Sequence, residues 1–282
     1  MKRRLGMTTK LRLSIFLVLF GTFFAAPGAL ASTKATYFLS LGDSLAQGYQ
    51  PTGGPWSPTG TSGYNHGYPD ELLKLTRAGY EQLRLVKLGC GGETTTTFRF
   101  GGGFCSYEEG SQLAAAVAFL EEHGDEVAFV TIDIGGNDLS DGGVPEIAVN
   151  LPAILSALKA AAPNVQIVAM NYYDPFIAPV WFQTGDLGAL QTEVANIVAF
   201  NDFLEAIYQA VGVGIADVES AFLVTDLTIQ PSGLPRNVQR VCEWSWMCAV
   251  GDVHANTDGY AEIAQAFAEV VGTNAIASWA PR

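Results

Sequence analysis

The sequence is poor in cysteine, histidine and positive charge, and each shortage narrows the range of functions. Its four cysteines and three histidines form no C-x-x-C pair and no H-E-x-x-H motif, which leaves no familiar zinc site. The G-x-S-x-G turn of α/β-hydrolases is missing as well. We therefore expect no metal, no cofactor and no nucleophile of the α/β-hydrolase type.

Positive charge is scarce and unevenly spread. Lysine and arginine number 15 against 28 acidic residues, for a formal net charge of −13. Five of these bases precede residue 13, so the rest of the chain sets 10 bases against all 28 acids. Such a surface repels nucleic acid and anionic membranes. We expect a small neutral or cationic substrate as the partner.

The N-terminal segment has the composition of a secretory signal peptide. Its first twelve residues hold five bases and no acid, an apolar run from Leu13 to Phe24 follows, and the segment ends with the sequence ALA at 29–31. The apolar run is shorter than the roughly 20 residues of a membrane-spanning helix, which makes an uncleaved anchor the weaker alternative. We expect cleavage near Ala31, secretion without a stable membrane anchor, and a single domain over residues 32–282.

An exported chain meets an oxidising compartment, where an even number of cysteines favours disulfides. Four cysteines allow three pairings. We expect Cys90–Cys105 and Cys242–Cys248, because each pair is close in sequence and lies within one irregular segment rich in Gly or Trp. Closing the 15-residue span of the first pair stabilises the fold by roughly 3 kcal/mol in the chain-entropy model.

Short apolar strands alternate with amphipathic helices along the chain. The pattern predicts strands at 37–41, 83–88, 127–134, 165–170 and 213–218 and helices at 69–78, 112–122, 146–161, 187–210 and 258–271. Such alternation is typical of a parallel sheet with helices on both faces. We expect a three-layer α/β/α sandwich around a five-stranded parallel sheet, with ligands bound at the carboxyl ends of the strands.

Residues suited to catalysis follow three of these predicted strands. The first strand ends in GDSL at 42–45, where a serine hydroxyl stands at a strand-to-helix turn and the helix N-terminus faces any oxyanion. The second ends in a turn through Gly91 and Gly92, whose backbone amides can approach a ligand. The third ends near Asn137, an amide able to donate to a developing oxyanion. Taken singly, each sequence is also that of an ordinary turn.

His254 is the histidine best placed for catalysis. It stands two residues before the cap of the last predicted helix, at a helix entrance rather than in an apolar stripe. Asp252 can accept a hydrogen bond from its ring and fix the tautomer. His123, at a predicted helix end, is expected to be solvated or stabilised by the helix dipole. His66 is expected to be exposed, with a place in a pocket wall as the alternative.

Three further acids near these motifs are assigned structural roles. Asp133 lies in the third predicted strand and is expected to make a buried hydrogen bond close to the site. Asp43 and Asp138 are expected to fix their loops.

Taken together, GDSL, the Gly-Gly turn, Gly-x-Asn-Asp and a C-terminal histidine resemble the SGNH or GDSL hydrolase superfamily over residues 42–260. The resemblance implies a flavodoxin-like fold and a serine hydrolase. It implies Ser44 as nucleophile and His254 as general base. It also implies an oxyanion hole formed by Ser44, Asn137 and Gly92, with Gly91 as the alternative to Gly92.

One position departs from the pattern of the superfamily. The usual signature is Asp-x-x-His, but the residue three before His254 is Gly251. The acid stands one place later, at Asp252, which we expect to orient the histidine. A backbone carbonyl is the alternative.

The expected protein is a secreted esterase or lipase-like enzyme that cleaves a small-molecule ester through an acyl-enzyme on Ser44. A carbohydrate O-acetylesterase or an acyltransferase on the same scaffold shares every motif. A secreted, non-catalytic binding module is a further alternative, against which the presence of Ser44, Asn137 and His254 argues.

Two aromatic segments are candidates for the wall of a substrate pocket. One runs from Tyr172 to Phe182, and the other holds Trp244 and Trp246 between two cysteines. Both are equally compatible with packing beneath long loops.

Overall fold

A computed structural model describes residues 36–51, 66–77, 79–80, 82–141 and 143–277. The predicted signal peptide, its cleavage position near Ala31 and the first residues of the predicted domain lie outside these ranges.

Five parallel strands form one sheet in the order β2-β1-β3-β4-β5. They are β1 (Tyr37–Gly42), β2 (Arg84–Lys87), β3 (Val127–Asp133), β4 (Gln166–Met170) and β5 (Gly214–Ala216). This is the doubly wound order of the flavodoxin-like fold. The five-stranded parallel sheet expected from the sequence is confirmed, with each strand within three residues of its predicted ends.

The central strands are buried on both faces because helices cover the sheet from both sides. In β1, Phe38, Leu39 and Leu41 are completely buried, whereas the edge strand β2 begins with the exposed Arg84. Near-continuous apolar sequence is what a strand covered on both faces needs. The register of β1 with β3 sets Gly42 opposite Asp133. The loops that follow these two strands therefore lie side by side.

Eleven α-helices are present in the described residues. They are α1 (Ser44–Gln47), α2 (Tyr68–Thr76), α3 (Thr95–Phe100), α4 (Gln112–His123), α5 (Val144–Ala161), α6 (Ile177–Thr184), α7 (Leu187–Ala210), α8 (Val218–Ala221), α9 (Arg236–Trp244), α10 (Met247–Val250) and α11 (Thr257–Ala277). The five predicted helices correspond to α2, α4, α5, α7 and α11. The other six helices were not predicted, and none of them is longer than nine residues.

The helices form two packed groups. Helix α2 packs on α11, with the rings of Tyr68 and Phe267 stacked at 4.7 Å, and these helices contact β2, β4 and β5. Helix α5 packs on α3, α4 and α7. Although α5 is long and apolar enough to cross a membrane, Leu151, Ile154 and Leu155 lie in the hydrophobic core. It is a core helix of this domain.

Both predicted disulfide pairs are joined in the structure. Cys90 bonds Cys105 with their Cα atoms 6.0 Å apart, and Cys242 bonds Cys248 with a Cα separation of 5.0 Å. The first ties the loop after β2 to the segment after α3. The second connects α9 to α10, just before the His254 loop.

Candidate active site

The turn after β1 is built around a glycine and a cap. Gly42 has φ +132°, and a Cβ there would lie 2.1 Å from the carbonyl oxygen of Asp133, so only glycine fits. The side chain of Asp43 accepts a hydrogen bond from Leu45 N at 2.9 Å and caps α1. Ser44 is consequently the first residue of a helix whose N-terminus points at the site.

A glutamine that sequence reasoning missed holds this turn from α4. Gln112 is fully buried. Its Oε1 accepts from Gly42 N at 2.6 Å, and its Nε2 donates to Gly42 O at 2.9 Å. Because Gln112 lies 70 residues away in sequence, no local pattern could have indicated this contact.

Ser44, His254 and Asp252 form a continuous hydrogen-bonded row. Ser44 Oγ lies 2.7 Å from His254 Nε2, and His254 Nδ1 lies 2.7 Å from Asp252 Oδ1. The same Asp252 oxygen accepts the backbone N–H of His254 at 2.9 Å. The structure thus brings together two residues 210 positions apart, and a carboxylate, rather than a backbone carbonyl, faces the second ring nitrogen. Such a row can move a proton from the hydroxyl to the imidazole.

The His254 loop is held by contacts that the sequence did not indicate. Trp246 N donates to His254 O at 2.9 Å, and the Tyr173 hydroxyl donates to Val253 O at 2.8 Å. The ring of Tyr49 lies 4.4 Å from the imidazole, centroid to centroid. These contacts come from three separate segments of the chain, two of them holding the backbone of the loop and one packing on the ring.

The three residues expected to supply oxyanion donors, Ser44, Gly92 and Asn137, line the same cavity. In the described part of the chain, neither Ser44 N nor Gly92 N has a hydrogen-bond acceptor, whereas Gly91 N donates to Gln47 Oε1 at 3.1 Å. Asn137 Nδ2 donates to Glu93 O at 3.0 Å and lies 3.4 Å from Asp43 Oδ2. The geometry therefore favours Gly92 over Gly91 as the second backbone donor of an oxyanion hole.

Buried acids surround this set of donors. Burial raises the pKa of Glu93, whose carboxyl accepts from Gln112 Nε2 at 3.2 Å. Burial also raises the pKa of Asp138, which accepts from Thr95 N at 2.9 Å and from Thr95 Oγ1 at 2.5 Å. Asp138 thereby fixes the start of α3 to the loop that carries Asn137.

A cavity of about 700 Å³ opens on Ser44 and His254. Most of its wall is apolar, and the segment after β4 contributes Tyr172, Tyr173 and Phe176. The second aromatic segment is not in this wall. Trp244 instead packs on Phe222 and beneath the guanidinium of Arg240. One of the two predicted pocket segments thus lines the cavity, and Trp244 of the other serves packing.

Phe104 covers the oxyanion side of the cavity. Its ring lies so close to Gly92 that a Cβ there would be 2.6 Å from Phe104 Cε2. The ring is 70% exposed and neighbours Cys105, which the disulfide binds to Cys90. The disulfide therefore holds an aromatic wall and a backbone donor in one unit.

The other two histidines lie outside the row. The ring of His123 packs against Tyr37 and Phe119, and His66 is exposed. Among the residues that the structure describes, no group of three or more His, Cys, Asp or Glu residues could hold a metal ion.

Comparisons with known proteins identify the family of the chain. The model of the GDSL-like lipase/acylhydrolase family matches residues 40–262 of the chain. A search of the curated proteins gave no match.

Several solved structures share the fold. A protein from Parabacteroides merdae ATCC 43184 described as a GDSL-like lipase has 18% identity over 85% of this chain and 96% of its own, with a TM-score of 0.57. A family 3 carbohydrate esterase from Clostridium thermocellum has 18% identity over 87% and 99%, with a TM-score of 0.51. An acetyl xylan esterase from Geobacillus stearothermophilus has 19% identity over 85% and 95%, with a TM-score of 0.50. At these identities the likeness establishes the fold.

Proposed function

The chain belongs to the GDSL-like lipase/acylhydrolase family and is a carboxylic-ester hydrolase; from that premise, we propose that it is secreted and acts through an acyl-enzyme on Ser44. One observation carries the proposed mechanism, the 2.7 Å contacts that join Ser44 Oγ, the imidazole of His254 and the carboxylate of Asp252. A hydroxyl that can pass its proton to a neighbouring base is an activated nucleophile.

In the proposed reaction, Ser44 Oγ attacks the ester carbonyl carbon while His254 Nε2 takes the hydroxyl proton. The tetrahedral oxyanion accepts hydrogen bonds from Ser44 N, Gly92 N and Asn137 Nδ2. His254 then returns the proton to the departing alcohol oxygen, which leaves the acyl group on Ser44. Water attacks this acyl-enzyme with His254 again as base, and the acid is released with Ser44 restored. Asp252 keeps the imidazole oriented and stabilises its positive charge.

The cavity beside Ser44 supports an ester with an apolar acyl group as the substrate. Its wall includes Phe104, Ile197 and Phe200 in addition to the aromatic segment after β4. Apolar walls favour hydrocarbon over solvated sugar hydroxyls, because burial of apolar surface is what stabilises the bound ligand. An O-acetylesterase acting on carbohydrate is the second candidate, since two structures of similar fold carry the names of carbohydrate or xylan esterases.

A fluorophosphonate probe tests the nucleophile. We expect the purified wild-type protein to be labelled on Ser44 and Ser44→Ala to be unlabelled. Ser140→Ala is the matched control, because Ser140 lines the same cavity and makes no hydrogen bond to His254 in the described structure. Labelling of Ser44→Ala at the wild-type rate would show that another residue is the nucleophile.

Substrate profiling separates the two candidate substrates. A series of nitrophenyl esters of increasing acyl length is compared with acetylated xylo-oligosaccharides. We expect kcat/KM to rise from acetyl to longer acyl groups. A preference for the acetylated sugar over every nitrophenyl ester would instead assign the protein to carbohydrate deacetylation.

Secretion is supported by the predicted signal peptide and by the two disulfides. We expect the protein exported into the medium to begin at Ser32, as measured by mass spectrometry of the intact chain. An active protein that stays inside the cell with its N-terminus intact would contradict secretion.

A further inference from the structure

A fully buried acid lies directly beneath the Ser44 turn. Asp133 is the last residue of β3, and its side chain is 0% exposed. It pairs in register with Gly42, the residue two places before Ser44. Asp133 is absent from the wall of the cavity, so it does not touch a substrate bound there.

The carboxyl of Asp133 binds both sides of the Ser44 turn. Its Oδ2 accepts from Asp43 N and from Ala46 N, each at 3.3 Å. Its Oδ1 accepts from the Tyr68 hydroxyl at 2.8 Å. One side chain thereby joins the turn after β1, the start of α2 and the end of β3.

The same carboxyl reaches the oxyanion donor Asn137 through Asp43. The carboxyl groups of Asp133 and Asp43 are interacting neighbours, and Asp43 Oδ2 lies 3.4 Å from Asn137 Nδ2. Two ionised carboxylates offer only acceptors, so this pair can be hydrogen-bonded only if one member carries a proton.

The directions of the two pKa shifts favour Asp133 as the protonated member of the pair. Burial raises its pKa well above the usual range, and the neighbouring Asp43 raises it further. Burial raises the pKa of Asp43 as well, but there the hydrogen bond from Asp133 and the nearby imidazole of His254 act in the opposite direction. A neutral acid at Asp133 and an ionised Asp43 also leave the two oxygens of Asp43 free to accept from Leu45 N and from the Asn137 amide.

We propose that Asp133 is a positioning residue that works as a neutral carboxylic acid, donating to Asp43 and accepting from the backbone on both sides of Ser44. It holds the nucleophile turn in register with the Asn137 donor, so that the oxyanion meets all its donors at the correct distance. This role rests on the proposed function of Ser44, and it adds a residue that the superfamily motifs do not include.

An isosteric pair of variants tests this role. Asp133→Asn keeps one donor and one acceptor, as a neutral acid does, and the Tyr68 hydroxyl can turn to Thr131 Oγ1, which lies 3.3 Å away. Asp133→Leu keeps the volume and removes both groups. We expect Asp133→Asn to retain kcat within about threefold and Asp133→Leu to lose kcat about a hundredfold at unchanged KM, the loss typical of a misplaced oxyanion donor.

Two results would overturn the proposal. If Asp133→Asn is as inactive as Asp133→Leu, the native residue is an ionised acceptor and not a neutral donor. If Asp133→Leu keeps the wild-type kcat, the carboxyl does not position the site.

Infrared spectroscopy gives a second readout that needs neither activity nor the leucine variant. The wild-type protein is compared with Asp133→Asn at pH 8, above the pKa of about 7 that burial gives the carboxyl of Asp174. We expect the band of a protonated carboxylic acid in the wild type and its loss in the variant. A spectrum without that band, or a band that persists in Asp133→Asn, contradicts the neutral acid.

The experiments distinguish a failure of the proposed function of Ser44 from a failure of the proposed role of Asp133. A wild-type protein that is neither labelled nor active on any ester refutes the function of Ser44, while the infrared band still reports the state of Asp133.

Discussion

The two halves of the candidate site are held by different means. The Ser44 half sits on the central strands, where fully buried polar side chains such as Asp133 and Gln112 bind the backbone of the turn. The His254 half is a partly exposed loop before α11, held by the bridge between Ser245 and Ala255, by Tyr173 and by a disulfide. Buried hydrogen bonds resist displacement because breaking one leaves a polar group without water. The nucleophile half should therefore be the rigid one.

The largest loss of activity is expected from a substitution in the His254 half. Asp252→Asn replaces the carboxylate that faces His254 Nδ1 with an amide, which no longer stabilises the imidazolium or selects its tautomer. We expect kcat to fall by up to about 10⁴-fold with little change in KM, measured with a nitrophenyl ester. Asp258→Asn, an exposed acid in the first turn of α11, is the control that should keep its activity. Wild-type kcat in Asp252→Asn would mean that another group orients the histidine.

The second largest loss of activity is expected from a substitution in the Ser44 half. Asn137→Ala removes one donor to the oxyanion while leaving Ser44 and His254 in contact. We expect a loss of about 10²–10³ in kcat, or roughly 2.7–4 kcal/mol of barrier, at nearly constant KM. Fluorophosphonate labelling of the variant should slow by a similar factor. An unchanged rate in both assays would remove Asn137 from the oxyanion hole.

The two disulfides test the comparison directly, since one lies in each half. Replacing Cys90 and Cys105 with Ala opens a span of 15 residues and should lower the free energy of unfolding by roughly 3 kcal/mol, against roughly 2 kcal/mol for the 6-residue span of Cys242 and Cys248. Urea unfolding measures both. Only the first variant should also lose kcat, because it frees Phe104 from Gly92. A greater kcat loss in the second variant would make the histidine loop the more sensitive half.

The smallest expected effect is a change in the pH dependence of stability, and it comes from Asp174 in the cavity wall. Burial raises its pKa from 3.8 to about 7, and the nearby Glu193 adds to the shift. The folded state therefore binds this proton more tightly than the unfolded chain does. Its contribution to the free energy of unfolding is fully present below pH 4 and is lost as the pH rises through about 7.

Asp174→Asn should flatten this pH dependence. It keeps the acceptor for Phe176 N, which lies 2.7 Å from Asp174 Oδ1. Between pH 5 and pH 8, we expect the free energy of unfolding of the wild type to fall by about 2 kcal/mol more than that of the variant, as measured by urea unfolding. Identical pH profiles for the two proteins would show that Asp174 is ionised at neutral pH.

The fold could be predicted from the sequence because the patterns that indicate it are local. Apolar runs predicted all five strands, and turn residues marked the ends of the long helices. The short helix α9 was missed because it is mostly polar and only two apolar residues among its nine, Val238 and Val241, are buried. It forms because its buried side chains Val238 and Val241 pack in the core, which is a tertiary contact.

The candidate site could be predicted from the sequence only in part. The motifs around Ser44, Asn137 and His254 stand at strand ends or a helix entrance, and the topology of a doubly wound sheet brings such positions to one edge. Gln112, Tyr49 and Tyr173 carried no signal, because their contacts with the site join segments far apart in the chain.

By itself, then, the sequence determined the parallel sheet, the family and the types of residue at the carboxyl ends of the strands, since these follow from local periodicity and short motifs. The tertiary structure decided which groups meet. It placed Asp252, and not a carbonyl, on the imidazole, left the amide of Gly92 rather than Gly91 open, and set Asp133 beneath Ser44. Hydrogen bonds of this kind depend on distances of a few tenths of an ångström between distant segments, and only the packed core fixes those distances.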